Sequence, residues 1–315
     1  MGNLKVSSPK GNLKNNFKIL KYHTNYVYYL LKLKDERLAS CSSDCFLNIY
    51  NKNTFELQLS IKEHSKGITS FTQLMNGKII TCSSDSTMKV IKLIGEDSYK
   101  LEQTLKEHTN TIMKVIEIKK NELISISGDK EMKIWILNGD NKFECITSIM
   151  FQNEISTSNI FKINNKEFLT YSFIEECLKF WNSNNYSIIT FINNIETFWI
   201  FQTICLLDND ILCIGGDNSK GFYLIKILNH QLIKIIRGTK RIFSINKCSN
   251  NLFLCSFIDE DGNNSLAEYK YEKYNLIKIY EKKKAHESYI YSCIELNNGV
   301  IASGSRDCLI KLWSD

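Results

Sequence analysis

Residues 286–313 read HESYIYSCIELNNGVIASGSRDCLIKLW, and this stretch decides the fold. Tyr289 to Leu296 alternates and is rich in β-formers, and Asn298-Gly299 is a hairpin turn. Val300 to Gly304 is a second apolar run, Arg306-Asp307 a tight turn, and Leu309 to Trp313 a third alternating run. Three short strands make a twisted sheet too small to bury its own faces, so it needs neighbours. The chain supplies them by repeating the unit.

His286 lies 21 residues before Asp307, and the same interval separates His23 from Asp44, His64 from Asp85 and His108 from Asp129. Asp fills 13 of 315 positions, yet four of the five histidines meet one at this fixed offset, so the period is not accidental. Six residues after each Asp stands a large apolar side chain (Tyr50, Ile91, Trp135, Trp313), and four before it a hydroxyl (Ser40, Thr81, Ser125, Ser303). Between residues 150 and 260 the histidine disappears, but Glu154 and Glu175, Glu196 and Asp217, and Gly238 and Asp259 keep the interval. Units then start at 23, 64, 108, 154, 196, 238 and 286, with spacings of 41, 44, 46, 42, 42 and 48 residues. A seven-fold repeat with that period fits toroidal β architectures rather than helical arrays.

The sets His108, Ser125, Asp129, Trp135 and His286, Ser303, Asp307, Trp313 resemble the structural tetrad of WD-repeat β-propellers, and the resemblance extends over units one to seven. It departs from the family pattern where Ile, Asn and Ser follow Trp135, Trp181 and Trp313, and where Tyr22, Glu63, Glu107 and Ala285 precede the histidines. It implies an all-β fold: a seven-bladed β-propeller of four-stranded antiparallel blades over 15–315, behind a disordered lead-in of residues 1–14. Phe17 to Tyr22 is a spare strand, and the seventh unit lacks an outer one. Their pairing is expected to close the ring and cover edges that invite aggregation. The outer strands are expected at Phe55–Ile61, Lys100–Leu105, Phe143–Met150, Tyr186–Ile192, His230–Ile236 and Tyr274–Tyr280, more polar than the rest.

A recurring His, Ser and Asp invites a hydrolase reading, because a nucleophilic hydroxyl needs a base and the base an orienting acid. A catalytic set would occur once. This one occurs fully twice and partly twice more, so a structural staple is expected, with no catalytic residues. No metal site is expected either, since no two histidines lie within 41 residues and no Cys/His cluster has ligand spacing. Without a phosphate loop, a carboxylate pair or a cofactor motif, no cofactor is implied.

Eleven scattered cysteines, an odd number, with several in apolar second strands (Cys41, Cys82, Cys213, Cys255), read as small hydrophobes in a reducing compartment, cytoplasm or nucleus. No secretory leader or apolar run of membrane length appears. Met1-Gly2-Asn3 departs from the myristoylation pattern, because Val6 stands where a hydroxyl is needed. The net charge of +6 is dispersed, which argues against tracking a nucleic-acid backbone.

In the family three places per unit face the rim bearing the His and Asp turns: three and five residues after the His, and the residue before the Asp. Units two to four place small or polar groups there, such as Gly67, Thr69, Thr157 and Asn159. Units five, six, seven and one place Trp199, Phe201, Arg241, Phe243, Tyr289, Tyr291, Arg306, Tyr26 and Tyr28 there. Aromatics and arginine dominate binding hot spots because they bury much area and keep a polar handle. The resemblance therefore implies a non-catalytic scaffold or adaptor binding a protein or peptide on the narrow face. An acidic or phosphorylated segment would suit Arg241, Arg306 and the turn Lys282-Lys283-Lys284. The alternatives are a nucleic-acid-associated scaffold and an enzyme with its site in the central channel.

Overall fold

The computed structural model describes residues 13, 15–151, 157–172, 175–196, 203–216, 221–238 and 241–314. The strands form seven four-stranded antiparallel sheets, each paired in chain order except the last. These are blades 1 to 7, whose inner strands are Val27–Lys32, Ile68–Gln73, Ile112–Lys119, Thr157–Lys162, Ile204–Leu206, Arg241–Lys247 and Ile290–Glu295. The second strands are the most deeply covered, as in Leu38–Ser42 and Ile301–Ser305, where every residue is buried.

The quoted stretch forms the three inner strands of blade 7, Ile290–Glu295, Ile301–Ser305 and Ile310–Ser314. Asn298 and Gly299 both take positive φ, 56° and 73°. That geometry matches the right-handed twist of the strands it joins, and Asn-Gly is the dipeptide that adopts it at least cost. Asn15–Leu20 supplies the fourth strand, with Asn15 opposite Ser314 and Leu20 opposite Ile310. The ring closes as the sequence implied. Leu13 is fully buried in a cluster with Leu254, Ile301 and Trp313, so the closing segment reaches back past the boundary expected at residue 15.

A single blade has two apolar faces and no core of its own. The buried hydrophobics accordingly fall into seven clusters, one at each blade-to-blade interface, from Leu33, Ile49 and Phe71 between blades 1 and 2 to Leu20, Leu30 and Leu312 between blades 7 and 1. Stability in such a ring is a sum of neighbour interfaces. The fit is close where blades 7 and 1 meet: a Cβ on Gly304 would come within 2.8 Å of Val27 Cγ1.

The outer strands occupy the expected positions, but they are not uniformly polar. In blade 4 the outer strand Ile188–Ile192 exposes Ile188, Ile189 and Phe191, and in blade 5 Gln231–Ile236 exposes Leu232, Ile233 and Ile235. These side chains have no further sheet to cover them. The lysine run is also not a turn: Asn275–His286 is one strand running through it. Lys283 pairs with Asp261 at 3.0 Å, and Lys282 lies over the Trp313 ring at 5.8 Å.

Candidate functional site

The His and Asp turns come together at one end of each blade. In blade 7 His286 Nδ1 lies 2.7 Å from Asp307 Oδ2, His286 Nε2 lies 2.8 Å from Ser303 Oγ, and Trp313 Nε1 donates to the same Oγ at 2.8 Å. Blade 3 repeats the set, with His108 2.7 Å from Asp129 and 2.8 Å from Ser125, and Trp135 donating to Ser125 at 2.9 Å. In blade 1 Tyr50 replaces the tryptophan, its hydroxyl 3.0 Å from Ser40 Oγ. Blade 2 keeps His64, Asp85 and Thr81, with apolar Ile91 in the fourth place.

The chain of donors has one consistent direction: Trp N–H to Ser, Ser O–H to Nε2, and Nδ1–H to the carboxylate. It requires a neutral histidine. Burial holds His64, His108 and His286 below the ordinary imidazole value despite the facing carboxylates. Burial alone would raise the aspartates, but hydrogen bonds from the histidines and turn amides outweigh it. Asp44, Asp129 and Asp307 lie below the usual carboxylate range, and Asp85 falls to about 2. The hydroxyls of Ser40, Ser125 and Ser303 are fully buried, so none can reach a substrate; they are rungs of a staple. The three ligand-type groups of His108, Asp129 and Glu131 lie close together, but both His108 nitrogens are engaged and Glu131 pairs with Lys133 at 2.6 Å.

These shifts set the acid sensitivity. Below pH 6.5 the unfolded chain protonates histidines that the fold keeps neutral, and below about pH 4 its aspartates follow, so the native state binds fewer protons throughout. Stability therefore falls with pH. The urea midpoint is expected to drop between about pH 7.5 and 5 in wild type, with a smaller drop in His64→Gln. A midpoint that holds steady or rises on acidification would contradict the neutral-histidine staple.

Two further signals in the repeat were not singled out from the sequence. A serine two residues before the Asp (Ser42, Ser83, Ser127, Ser305) donates to the carbonyl of the preceding turn, as Ser305 does to Ser288 O at 3.1 Å. The residue after the Asp (Cys45, Ser86, Lys130, Cys308) takes a positive φ. In the degenerate blades the network survives in part. Trp181 donates to Thr170 Oγ1 at 2.9 Å in blade 4, and the Tyr223 hydroxyl accepts from Glu196 N at 3.1 Å in blade 5. In blade 6, where Gly238 stands in place of a histidine, the Asp259 carboxylate turns to Asn263 and Ser265.

On this same face the inner strands carry a β-bulge, which adds a residue and re-aims a side chain. The pairing skips Tyr28, Thr69, Met113, Phe243 and Tyr291, the fifth residue after each unit start. In blade 4 it skips Ser158, one residue from the expected place. Asn159, assigned to the rim, is instead buried and accepts from Lys114 Nζ at 2.8 Å.

Five of the predicted aromatics meet in one cluster across blades 6, 7 and 1. Phe243 stacks on Tyr289 at 5.0 Å and meets Tyr291 at 6.1 Å; Tyr291 meets Tyr28 at 5.7 Å; Tyr28 meets Tyr26 at 6.3 Å. Arg306 spans the gap between blades 7 and 1, its guanidinium 5.0 Å from the Tyr26 ring and 5.6 Å from the Tyr289 ring. The turn aims it there, because Arg306 N donates to Tyr289 O at 2.8 Å. Arg306 is exposed and Tyr26, Tyr28 and Tyr289 are half-buried.

Phe243 and Tyr291 correct the expectation. They are only 1% and 5% exposed, so they form the floor of the patch rather than its contact surface. Period-two alternation put them on one face with their neighbours, and the bulges packed them inward against adjacent blades. Arg241 opens the inner strand of blade 6, half-buried and two residues from Phe243. Trp199 and Phe201 lie outside the described residues.

The model of the family described as WD domain, G-beta repeat matches residues 55–92 and 276–314. No curated protein matches the chain. Among solved structures, the crystal structure of the WD40 beta propeller domain of Doa1 is similar at a TM-score of 0.74 and 18% identity, over 96% of this chain and 97% of that one. With the repeat model matched in two stretches of its sequence, staples of the same kind in blades 1, 2, 3 and 7, and seven four-stranded blades in a closed ring, the chain is a seven-bladed β-propeller with the fold of a WD40 propeller domain.

Proposed function

We propose that the protein is a non-catalytic interaction scaffold that holds an extended, acidic or phosphorylated protein segment against the His–Asp face over blades 6, 7 and 1. Propellers of this family commonly bind proteins and are generally not catalysts. The observation that carries the reading is Arg306: an exposed guanidinium between the Tyr26 and Tyr289 rings, above a floor of buried rings. A planar, exposed cation suits a carboxylate or phosphate, and the half-open tyrosines give area at small entropic cost. The eleven cysteines are all unpaired, which suits a reducing compartment, cytosol or nucleus.

The test is a peptide array of acidic and phosphorylated segments, probed with wild type and with Tyr289→Ala/Arg306→Glu. The double variant should keep its thermal midpoint and lose at least about ten-fold in affinity for the peptides wild type selects, as expected for losing a charge-assisted contact and an aromatic anchor. An unchanged selection would remove the patch as the docking site.

A further inference from the structure

The central channel holds a second feature, independent of the aromatic patch. Its far half, at the ends of the inner strands away from the His–Asp turns, opens into a cavity of about 430 Å³ lined among others by Lys34, Lys114, Lys162, Glu117, Gln73 and Phe161. That volume lies in the range of about 300–1,000 Å³ typical of small-molecule sites. Lys34, Lys114 and Lys162 face a single carboxylate among the described lining residues, that of Glu117. Both oxygens of Glu117 are already engaged by backbone, one by Met75 N and the other by Asn121 N at 3.2 Å. The acid therefore sets at most one negative charge against three ammonium groups.

Lys114 is the unusual member. It projects from the inner strand of blade 3 next to the Met113 bulge, and Asn159 Oδ1 of blade 4 accepts from its Nζ at 2.8 Å. Burial lowers it to about 8. Ammonium groups partly drawn out of water are normally paired, and half-buried Lys114 has a neutral amide as its hydrogen-bond partner among the described residues. Phe161, Ile116 and Ile204 supply an apolar wall beside the lysines.

We infer that this cavity binds a small di- or polyanion, with Lys114 contacting its charged group and Lys34 and Lys162 flanking it. The anionic group, carboxylate or phosphate, would complete the pairing that the fold leaves open.

Titration calorimetry with citrate and with pyrophosphate separates the two anion chemistries and tests the site. Wild type should bind at least one, and at about pH 8 binding should take up protons, since an anion favours the charged lysine. Lys114→Met preserves length and removes a poorly solvated charge, so the variant should fold. It should bind about ten- to hundred-fold more weakly, as losing one charge-assisted hydrogen bond implies. Lys162→Gln is the second variant and should weaken binding in the same direction. If neither anion binds wild type at millimolar concentration, or both variants keep wild-type affinity, the inference is wrong.

Discussion

Deleting residues 1–20 should lower the thermal midpoint by roughly 10 °C or more. The loss includes two leucines, Leu13 and Leu20, each buried at an interface of blade 7: Leu13 toward blade 6 and Leu20 toward blade 1. Burial of each contributes about 1.5–3 kcal/mol, and in a chain of this size a loss of about 1 kcal/mol moves the midpoint by about 2–4 °C. The deletion also strips the backbone pairing from Ile310–Ser314 and leaves that strand as an open edge beside Trp313. An open edge of this kind recruits other chains. The truncated protein should therefore be aggregation-prone as well as less stable, and a peptide spanning residues 13–20 added in trans should restore part of the midpoint. Differential scanning calorimetry with light scattering reads both effects. A truncated protein that melts like the full chain would show that the ring needs no closing strand.

What could be read from the sequence follows from which signals are chemical and which are geometric. The 21-residue interval between His and Asp is set by a hydrogen bond between two turns, so it survived in four blades and fixed the fold. Blade 4 lacks the histidine, and its hydroxyl, Thr170, lies 11 residues before Trp181 rather than the 10 of Ser125 and Trp135. That single added residue displaced the assignment of Asn159. The aromatic patch was legible in membership but not in depth. Alternation predicts which side chains share a face, whereas the bulges at Phe243 and Tyr291 decide how far each is pushed in, and a bulge has no residue signature here. Lys114 was missed for a different reason. A lysine in an alternating strand normally faces solvent, and only ring closure turns that face into a channel wall.

Asp307→Ala should destabilise the protein by about 2–4 kcal/mol, more than an exposed turn residue would. The carboxylate accepts from His286 Nδ1 at 2.7 Å, from Leu309 N at 3.0 Å and from Glu287 N at 3.2 Å. Truncation leaves a buried imidazole N–H without an acceptor, at about 1–3 kcal/mol, and returns two turn amides to water at smaller cost. The effect does not stop at the aspartate, because His286, Ser303 and Trp313 are polarised toward it and the far end of the chain loses its terminal acceptor. Asp307→Asn keeps an acceptor oxygen and forfeits only the charge, so it should cost about half as much. Asp259→Ala is the internal control: among the described residues its carboxylate accepts from Asp261, Asn263 and Ser265, all within six residues, and from no histidine, so its loss should be the smallest of the three. Urea denaturation of the three variants at neutral pH gives the ranking. If Asp259→Ala and Asp307→Ala cost the same, the staple is no stronger than an ordinary turn, and the ring is held by its apolar interfaces alone.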